Sequence, residues 1–297
     1  MTFPLLPDPD AWPSLHAEPA SVWAPALEAL GRAWRLEGEW RRLTGGEDSV
    51  VFAQGDTVVK LVPPFSVAEA DREVSVLRRL TLSVPTPRVE DVRHEEGWTA
   101  IRMSRLPGTP AERVWADVGQ EDRARIVSIA GSVLRELGRT AAGDGDGDAA
   151  ALLARLLSRV RRHEADGFPD PEGFVRRHLP DPPPAPVLIH FDLNDGNLML
   201  DRRGGRWDVS GVLDFVTCRA FYAPMDLVTP AVFFCGGDPV LLRALVDGAG
   251  LGHLEPCALA AWHLVHPFSL LPRDLAMGGR APAPTTEAAL LARWSTR

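Results

Sequence analysis

The chain has 297 residues, 45% of them hydrophobic and 24% charged, with a formal net charge of -8 at pH 7 and a pI near 5.5. This length suffices for one large domain or two lobes with a real core. The acidic balance argues against a nucleic-acid partner, which selects for a basic face. Cys218, Cys235 and Cys257 are too few and too widely spaced for a disulfide framework or a zinc site.

The N-terminal residues show no basic segment followed by an apolar run, and no apolar stretch approaches the length of a membrane span. We therefore expect a cytoplasmic protein with no membrane partner. Nothing in the sequence marks an obligate interface, so a monomer is expected.

The use of lysine and asparagine is unusually restricted. Lys60 is the only lysine, against 31 arginines, and Asn194 and Asn197 are the only asparagines. Where such disfavoured residues occur, a chemical function is a better explanation than chance.

The first third of the chain is predicted to be rich in β-structure. Alternating apolar residues and turn signals indicate strands, and a helical period follows them. Ser21 is the expected N-cap of an initial helix. The predicted elements are a helix at 21–35, three strands within 38–62 with Lys60 on the third, a helix at 67–80, and two strands near 88–92 and 98–103.

Beyond a Pro/Gly turn at 106–110, the pattern is mostly helical. The predicted helices cover roughly 120–140, 149–164, 240–249 and 256–265. Short apolar strands are predicted at 187–189, 198–200 and 209–214. We interpret His263 and His266 as core histidines, because no third metal ligand of evident geometry accompanies them.

The segment 187–200, VLIHFDLNDGNLML, carries the chemistry. An apolar strand ends at His190 and Asp192, and Asn197 begins the next strand five residues later. A later strand ends at Asp214. The order H-x-D-x-x-x-x-N, strand, Asp is typical of phosphoryl-transfer loops.

Phosphoryl transfer requires alignment of the attacking hydroxyl and neutralisation of charge. Asp192 would accept the hydroxyl proton, while Asn197 and Asp214 would offer hard oxygens to Mg²⁺. Lys60 would hold the α- and β-phosphates, and Glu73 on the following helix would orient it. Arginine replaces a compact ammonium poorly at such a site.

Each of these features has a simpler interpretation when taken alone. Asp-x-x-x-x-Asn is common turn chemistry, a strand lysine usually faces solvent, and two glycines in Thr44–Ser49 often make only a hairpin turn. The combination and its order favour a kinase.

These motifs resemble the aminoglycoside phosphotransferase family, over about residues 40–250. That resemblance implies an α+β, bilobal protein-kinase-like fold, with a β-rich N-lobe at 1–105 and a mostly helical C-lobe at 106–297. It also implies an adenine-binding hinge and a structural carboxylate at Asp226. The residues that the resemblance assigns to nucleotide binding are Lys60, Glu73, Gly45, Gly46, Ser49, Met103, Ser104 and Arg105; His190 and Asp192 would be catalytic, and Asn197 and Asp214 would bind metal.

The sequence also departs from the family pattern. Phe191 stands where the family usually has glycine, Asn194 and Asp195 replace a common His-Pro, and Leu137-Gly138 replaces Leu-His. Within the family, the overall pattern is most similar to hygromycin B phosphotransferases.

The expected activity is ATP- or GTP-dependent and Mg²⁺-dependent transfer of a γ-phosphate to a hydroxyl of a small cationic antibiotic, most simply a hygromycin-like aminoglycoside. A metabolic kinase acting on choline, homoserine or a sugar-like acceptor is the alternative, and a nucleotide-binding regulator without turnover is a third. The residues expected to contact the acceptor are Asp195, Asn194, Asp238, Glu255, Trp262 and Asp274.

Overall fold

The computed structural model describes residues 2–6, 8–44, 46, 48–181, 183–277 and 283–296. The chain divides into two compact units. The first consists of Met1–Arg79, Pro85–Pro107 and Leu213–Val216, and the second of the remaining residues. A domain boundary at 105/106 stays a prediction. The first unit also includes a short segment around Asp214, far beyond that boundary in the chain.

The first unit is built on a five-stranded antiparallel sheet with the order β1-β2-β3-β5-β4. All five predicted strands are present. Their bounds are β1 Arg41–Leu43, β2 Val50–Gln54, β3 Thr57–Val62, β4 Val89–Glu95 and β5 Trp98–Ser104.

Three helices accompany this sheet: α1 (Trp12–Ala17), α2 (Ala24–Trp34) and α3 (Val67–Arg79). The predicted N-cap at Ser21 is wrong, because residues 20–23 form a 3-10 turn and α2 begins at Ala24. Pro25 explains the later start, since proline fits the first turn of a helix, where its missing N–H costs nothing.

The core of the first unit is dominated by indole rings. Trp12, Trp23 and Trp98 pack with their ring centroids 5.4–6.5 Å apart, and Phe52 contacts Trp23. All four side chains are buried. Each indole removes a large apolar surface from water, so this cluster ties the N-terminal helices to the sheet.

The second unit is mostly helical and has two small sheets. One pairs β7 with β10, and the other has the order β6-β8-β9; all the pairings are antiparallel. The strands are β6 Thr109–Pro110, β7 Val187–Ile189, β8 Leu198–Arg203, β9 Arg206–Val212 and β10 Arg219–Phe221. The helices are α4 Gln120–Leu137, α5 Ala149–Leu157, α6 Pro171–His178, α7 Val228–Pro230, α8 Pro239–Gly248, α9 Pro256–Val265, α10 Leu271–Ala276 and α11 Thr286–Arg293.

Helices α4 and α8 approach unusually closely, because each contributes a glycine to the contact. A Cβ on Gly131 would lie 2.3 Å from the carbonyl oxygen of Leu245, and one on Gly248 would lie 2.4 Å from that of Ser128. Any side chain at either position would therefore force the backbones apart.

The predicted helix at 149–164 is shorter than expected, because α5 ends at Leu157 and residues 160–164 form a 3-10 turn. Helix α6 was not predicted; Asp170 caps it by accepting the N–H of Gly173. No helix in the described parts of the chain combines the length and apolarity that crossing a bilayer requires.

His266 follows α9 and is buried. Burial, and after it the neighbouring His263, lower the pKa of His266 to about 3. Its Nδ1 accepts the backbone N–H of Phe268 at 3.3 Å. The folded protein therefore holds this imidazole in its neutral form.

We predict that the stability advantage of the wild type over His266→Gln falls as the pH is lowered. The unfolded chain binds a proton at His266 below about pH 6.5, whereas the folded chain does not, so stability is lost on acidification. The difference between the two proteins should shrink by about 2 kcal/mol between pH 7 and pH 5 in urea unfolding. His253→Gln, at an exposed position, is the control and should differ from the wild type by a constant amount; a constant difference for His266→Gln as well would contradict the prediction.

Candidate functional site

The first unit holds a buried lysine between two carboxylates. Lys60 lies on β3, and its Nζ donates to Glu73 Oε2 at 2.8 Å and to Asp214 Oδ1 at 3.0 Å. Glu73 lies on the buried face of α3 with Ala70 and Leu77, three and four residues away. The structure thus brings together three residues that the sequence predicted to act together.

The two carboxylates keep the lysine charged. Burial alone would lower the pKa of Lys60, but the nearby charges of Asp214 and Glu73 outweigh burial and raise it above its ordinary value. Glu73 also accepts the backbone N–H of Phe215. The ammonium is therefore fixed in position as well as in charge.

Asp214 is held in a backbone conformation that few side chains adopt. Its φ is +59°, in the left-handed region, where aspartate is tolerated better than most residues. Its side chain is 35% exposed, whereas that of Lys60 is 10% exposed. The carboxylate therefore reaches solvent while still holding the ammonium.

The glycine loop between β1 and β2 can be followed only in part, because Gly45 lies outside the described residues. Gly46 has a φ of +78° and open space around the position of a Cβ. Ser49 is buried, and its carbonyl oxygen lies 3.3 Å from Nε2 of His16. A phosphate contact by Gly46 or Ser49 stays a prediction.

The predicted adenine-binding segment is already partly bonded within the first unit. The N–H of Ser104 donates to the carbonyl of Arg88, and that of Arg105 donates to the carbonyl of Asp56 at 2.8 Å. Met103 is buried in β5. A nucleotide base would therefore have to use other polar groups of this segment than these two amides.

In the second unit, Asp226 organises the loop that follows β7. Its two carboxylate oxygens accept the backbone N–H groups of His190 at 2.9 Å and Phe191 at 2.7 Å. Burial, with a smaller contribution from the charge of Asp192, raises the pKa of Asp226 to about 7. The two hydrogen bonds act in the opposite direction. The clamp fixes the backbone immediately before Asp192.

Phe191 occupies the position where the family usually has glycine, and its backbone shows why. Its φ is +74°, a conformation that strains a residue with a Cβ. The ring is buried, stacked on His266 at 5.5 Å and edge-on to Phe221 at 5.7 Å. Aromatic packing and the Asp226 clamp therefore offset a cost of about 1–2 kcal/mol.

The side chain of Asn194 forms three hydrogen bonds within the loop. Its Oδ1 accepts the N–H of Gly196 at 2.8 Å and of Asn197 at 3.2 Å, while its Nδ2 donates to Asp192 Oδ1 at 3.2 Å. The oxygen and one N–H of this amide are used within the loop, and an acceptor contact by Asn194 stays a prediction. Its side chain positions the Asp192 carboxylate.

The predicted magnesium ligands have suitable donor atoms. Asn197 Nδ2 donates to the carbonyl of Asp192 at 2.9 Å, so its amide oxygen is the atom left to face a cation. Asp214 supplies a partly exposed carboxylate. Magnesium typically takes one or two such oxygens and completes its shell with water and phosphate. A magnesium site of this kind does not require three His, Cys, Asp or Glu side chains. The described residues include no such cluster close enough to hold a metal.

The prediction that His190 is catalytic through its side chain is not supported. The ring is fully buried and so cannot contact an acceptor. The backbone of His190 makes the contacts instead. Its N–H donates to the carboxylate of Asp226, and its carbonyl oxygen accepts a hydrogen bond from Thr217 Oγ1 at 2.8 Å. His190 is a positioning residue.

Asp195 and Glu112 form an acidic pair beside the loop. The N–H of Glu112 donates to the carbonyl of Asp195 at 2.9 Å. Burial raises the pKa of Asp195, and the charge of Glu112 raises it further. Sequence reasoning missed Glu112; its position two residues after β6, the strand that pairs with β8, is the only signal that could have pointed to it.

The other residues predicted to contact the acceptor have different surroundings. Asp238 caps α8 and also accepts Gln120 Nε2 at 2.9 Å. Glu255 precedes α9 and is exposed. The structure does not bring these two into the Asp192 loop.

The predicted acceptor contacts of Trp262 and Asp274 are corrected by the structure, because both residues are buried, at 1% exposure each. Trp262 packs against Tyr222 at 5.7 Å and cannot offer a ring face for stacking. Asp274 accepts His263 Nε2–H at 2.9 Å and is bonded by Arg273. Both stabilise the core.

We predict that Asp226→Asn destabilises the protein by about 1–3 kcal/mol near pH 5, because the amide NH2 that replaces one carboxyl oxygen cannot accept a buried N–H, whereas the hydroxyl oxygen of the neutral acid still can. Because the pKa of Asp226 is raised, the wild type loses this group's contribution as the pH rises through about 7. The deficit measured by urea unfolding should therefore be smaller at pH 8 than at pH 5. Asp201→Asn, outside the loop, is the control; a deficit that grows with pH would refute the assignment.

This chain is similar to known proteins in both sequence and fold. Residues 39–268 match the Phosphotransferase enzyme family. The fold is similar to that of wild-type aminoglycoside 2'-phosphotransferase-IIIa in its GDP complex, with 15% identity, 81% of this chain and 87% of that chain covered, and a TM-score of 0.65. It is also similar to aminoglycoside phosphotransferase APH(3'')-Id from Streptomyces rimosus in complex with ADP and streptomycin, with 20% identity, coverages of 82% and 98%, and a TM-score of 0.59. At these identities the structures establish a shared kinase-like fold, with an antiparallel sheet in the N-terminal region and a helical C-terminal part. The family match covers most of the chain, and the protein therefore belongs to the Phosphotransferase enzyme family.

Proposed function

We propose that this protein transfers the γ-phosphate of ATP or GTP to a hydroxyl group of a small cationic acceptor, with magnesium as cofactor. The observation that carries the proposal is the buried ammonium of Lys60, held 2.8 Å from Glu73 and 3.0 Å from Asp214. Burying a lysine with two carboxylates costs desolvation energy, which a purely structural contact does not require. A site that binds a polyanionic phosphate chain gives that cost a purpose.

Nucleotide binding follows from the charge of this site. Lys60 stays protonated at neutral pH because its pKa is raised. An ammonium on a rigid strand can neutralise α- and β-phosphate oxygens. Relatives with the same fold have been solved with GDP and with ADP, which supports a purine nucleotide as the donor and leaves the choice of base to experiment.

Asp214 and Asn197 would hold the magnesium through a carboxylate and an amide oxygen. The ion would supply charge neutralisation on the transferring phosphate. The protein side chains then need only position the reactants, which accounts for the rigidity of the loop around Asp192.

Asp192 would accept the proton of the acceptor hydroxyl. As the hydroxyl oxygen bonds to the γ-phosphorus, the bond from that phosphorus to the β,γ-bridging oxygen breaks, and the nucleoside diphosphate leaves. Asn194 holds one carboxylate oxygen of Asp192 at 3.2 Å. The carboxylate of Asp192, positioned in this way, would receive the proton.

An aminoglycoside is the first candidate acceptor, and a hygromycin-like compound is the finer form of this proposal. Asp195 and Glu112 supply negative charge next to the loop, to which a substrate ammonium would be attracted. Related folds have been solved with kanamycin and with streptomycin. Measuring nucleoside diphosphate release across aminoglycosides, choline, homoserine and simple sugars would separate antibiotic from metabolic acceptors.

We predict that Asp192→Asn lowers kcat by about 10³-fold, because the amide cannot take up the hydroxyl proton. Nucleotide binding should be nearly unchanged, since the ammonium proposed to bind phosphate is held by Glu73 and Asp214. Turnover is measured by diphosphate release and binding by calorimetry with Mg²⁺ present.

Asp201→Asn, at a surface carboxylate on β8, serves as the matched control and should keep wild-type turnover. If Asp192→Asn retains full activity, Asp192 is not the proton acceptor. If neither wild type nor variant binds a nucleotide, the proposed function itself fails.

A further inference from the structure

An exposed apolar surface follows α9 in the second unit. The side chains of Phe268 and Leu270 are 46% and 57% exposed. Both are large hydrophobic residues, and they stand only two positions apart. We refer to this pair as the apolar platform.

The backbone that carries the apolar platform is firmly bonded. The N–H of Phe268 donates to His266 Nδ1 at 3.3 Å, and its carbonyl accepts Arg273 at 3.1 Å. The N–H of Leu270 donates to Asp274 Oδ2 at 3.0 Å. Because the backbone is anchored at both residues, the two side chains are held out toward solvent rather than free to fold inward.

The apolar platform adjoins the loop that carries Asp192. The ring of Phe268 meets that of Phe191 edge-on, with centroids 6.3 Å apart, and that of His266 at 5.6 Å. Phe191 directly precedes Asp192 in the chain. The link between the apolar platform and Asp192 is therefore the buried ring of Phe191.

The charges near the apolar platform are of both signs. The guanidinium of Arg219 lies 5.3 Å over the ring of Phe191. Arg273 is paired with the carboxylate of Asp274, which also accepts the N–H of Leu270. An uncharged apolar group would gain at the exposed side chains of the platform by leaving water.

We propose that the apolar platform binds an uncharged, hydrophobic part of the acceptor, so that among amino sugars and amino alcohols those that carry an apolar group are preferred. This rests on the proposed function, since it concerns the acceptor of the same reaction. Phe268 and Leu270 are then specificity-determining residues that touch the part of the acceptor remote from its reacting hydroxyl.

A matched pair of compounds tests the proposal. Methyl and hexyl β-glycosides of glucosamine share one ammonium and the same hydroxyls and differ only in apolar length. Their affinities are measured by calorimetry with Mg²⁺ and a non-hydrolysable ATP analogue present, and diphosphate release with ATP is measured separately. Each is compared in the wild type, Phe268→Ser, Leu270→Ser and Val240→Ser; Val240 is an exposed apolar residue on α8 and serves as the control.

The wild type and Val240→Ser should bind the hexyl glycoside about tenfold more tightly than the methyl glycoside, and this ratio should fall to about twofold in Phe268→Ser and Leu270→Ser. Equal affinities in the wild type, no binding of either compound, or a ratio that both variants retain would overturn the proposal. A preserved preference without diphosphate release would refute the proposed phosphotransfer and leave the apolar platform standing. Turnover of both glycosides with equal KM would do the reverse.

Discussion

The structure depends most on one buried contact, the ammonium of Lys60 between the carboxylates of Glu73 and Asp214. Removing such a charge from water is costly unless its partners are close and fixed. Here the strand fixes the lysine, helix α3 fixes Glu73, and the left-handed backbone at Asp214 turns its carboxylate toward the ammonium. The contact joins a sheet, a helix and a distant segment of the chain, so it organises the first unit.

In the second unit, hydrogen bonds on both sides of Asp192 in the chain hold its carboxylate in place. Asp226 clamps the backbone before Asp192, and Asn194 bonds the loop after it. Phe191 takes a strained conformation at the join, and its buried ring packs against His266. Strain near a reactive group persists only where the surroundings enforce it, and these contacts supply that enforcement.

The sequence predicted the five-stranded sheet and the group Lys60, Glu73 and Asp214, because apolar alternation and the single lysine are local signals. It did not reveal the burial of Trp262 and Asp274 or the engagement of Asn194 within its own loop. Those outcomes depend on which distant segments pack together, and no spacing along the chain encodes them. The late start of α2 has a local cause. Pro25 favours the first turn of a helix, and α2 begins at Ala24.

The presence of one lysine in the chain allows a direct measurement of the central contact. In an acyl-phosphate derivative of ATP, the small unprotonated fraction of a lysine held beside the phosphates attacks the acyl carbon, an amide forms and ATP leaves; because the reaction is irreversible, a long incubation at pH 9 accumulates label although the resting form is the ammonium, and peptide mass analysis locates the modified residue. We expect acylation of Lys60 that excess ATP with Mg²⁺ suppresses, because both nucleotides would occupy the same site. Absence of label at Lys60, or labelling that excess nucleotide leaves unchanged, would contradict the assignment of this buried ammonium to phosphate binding.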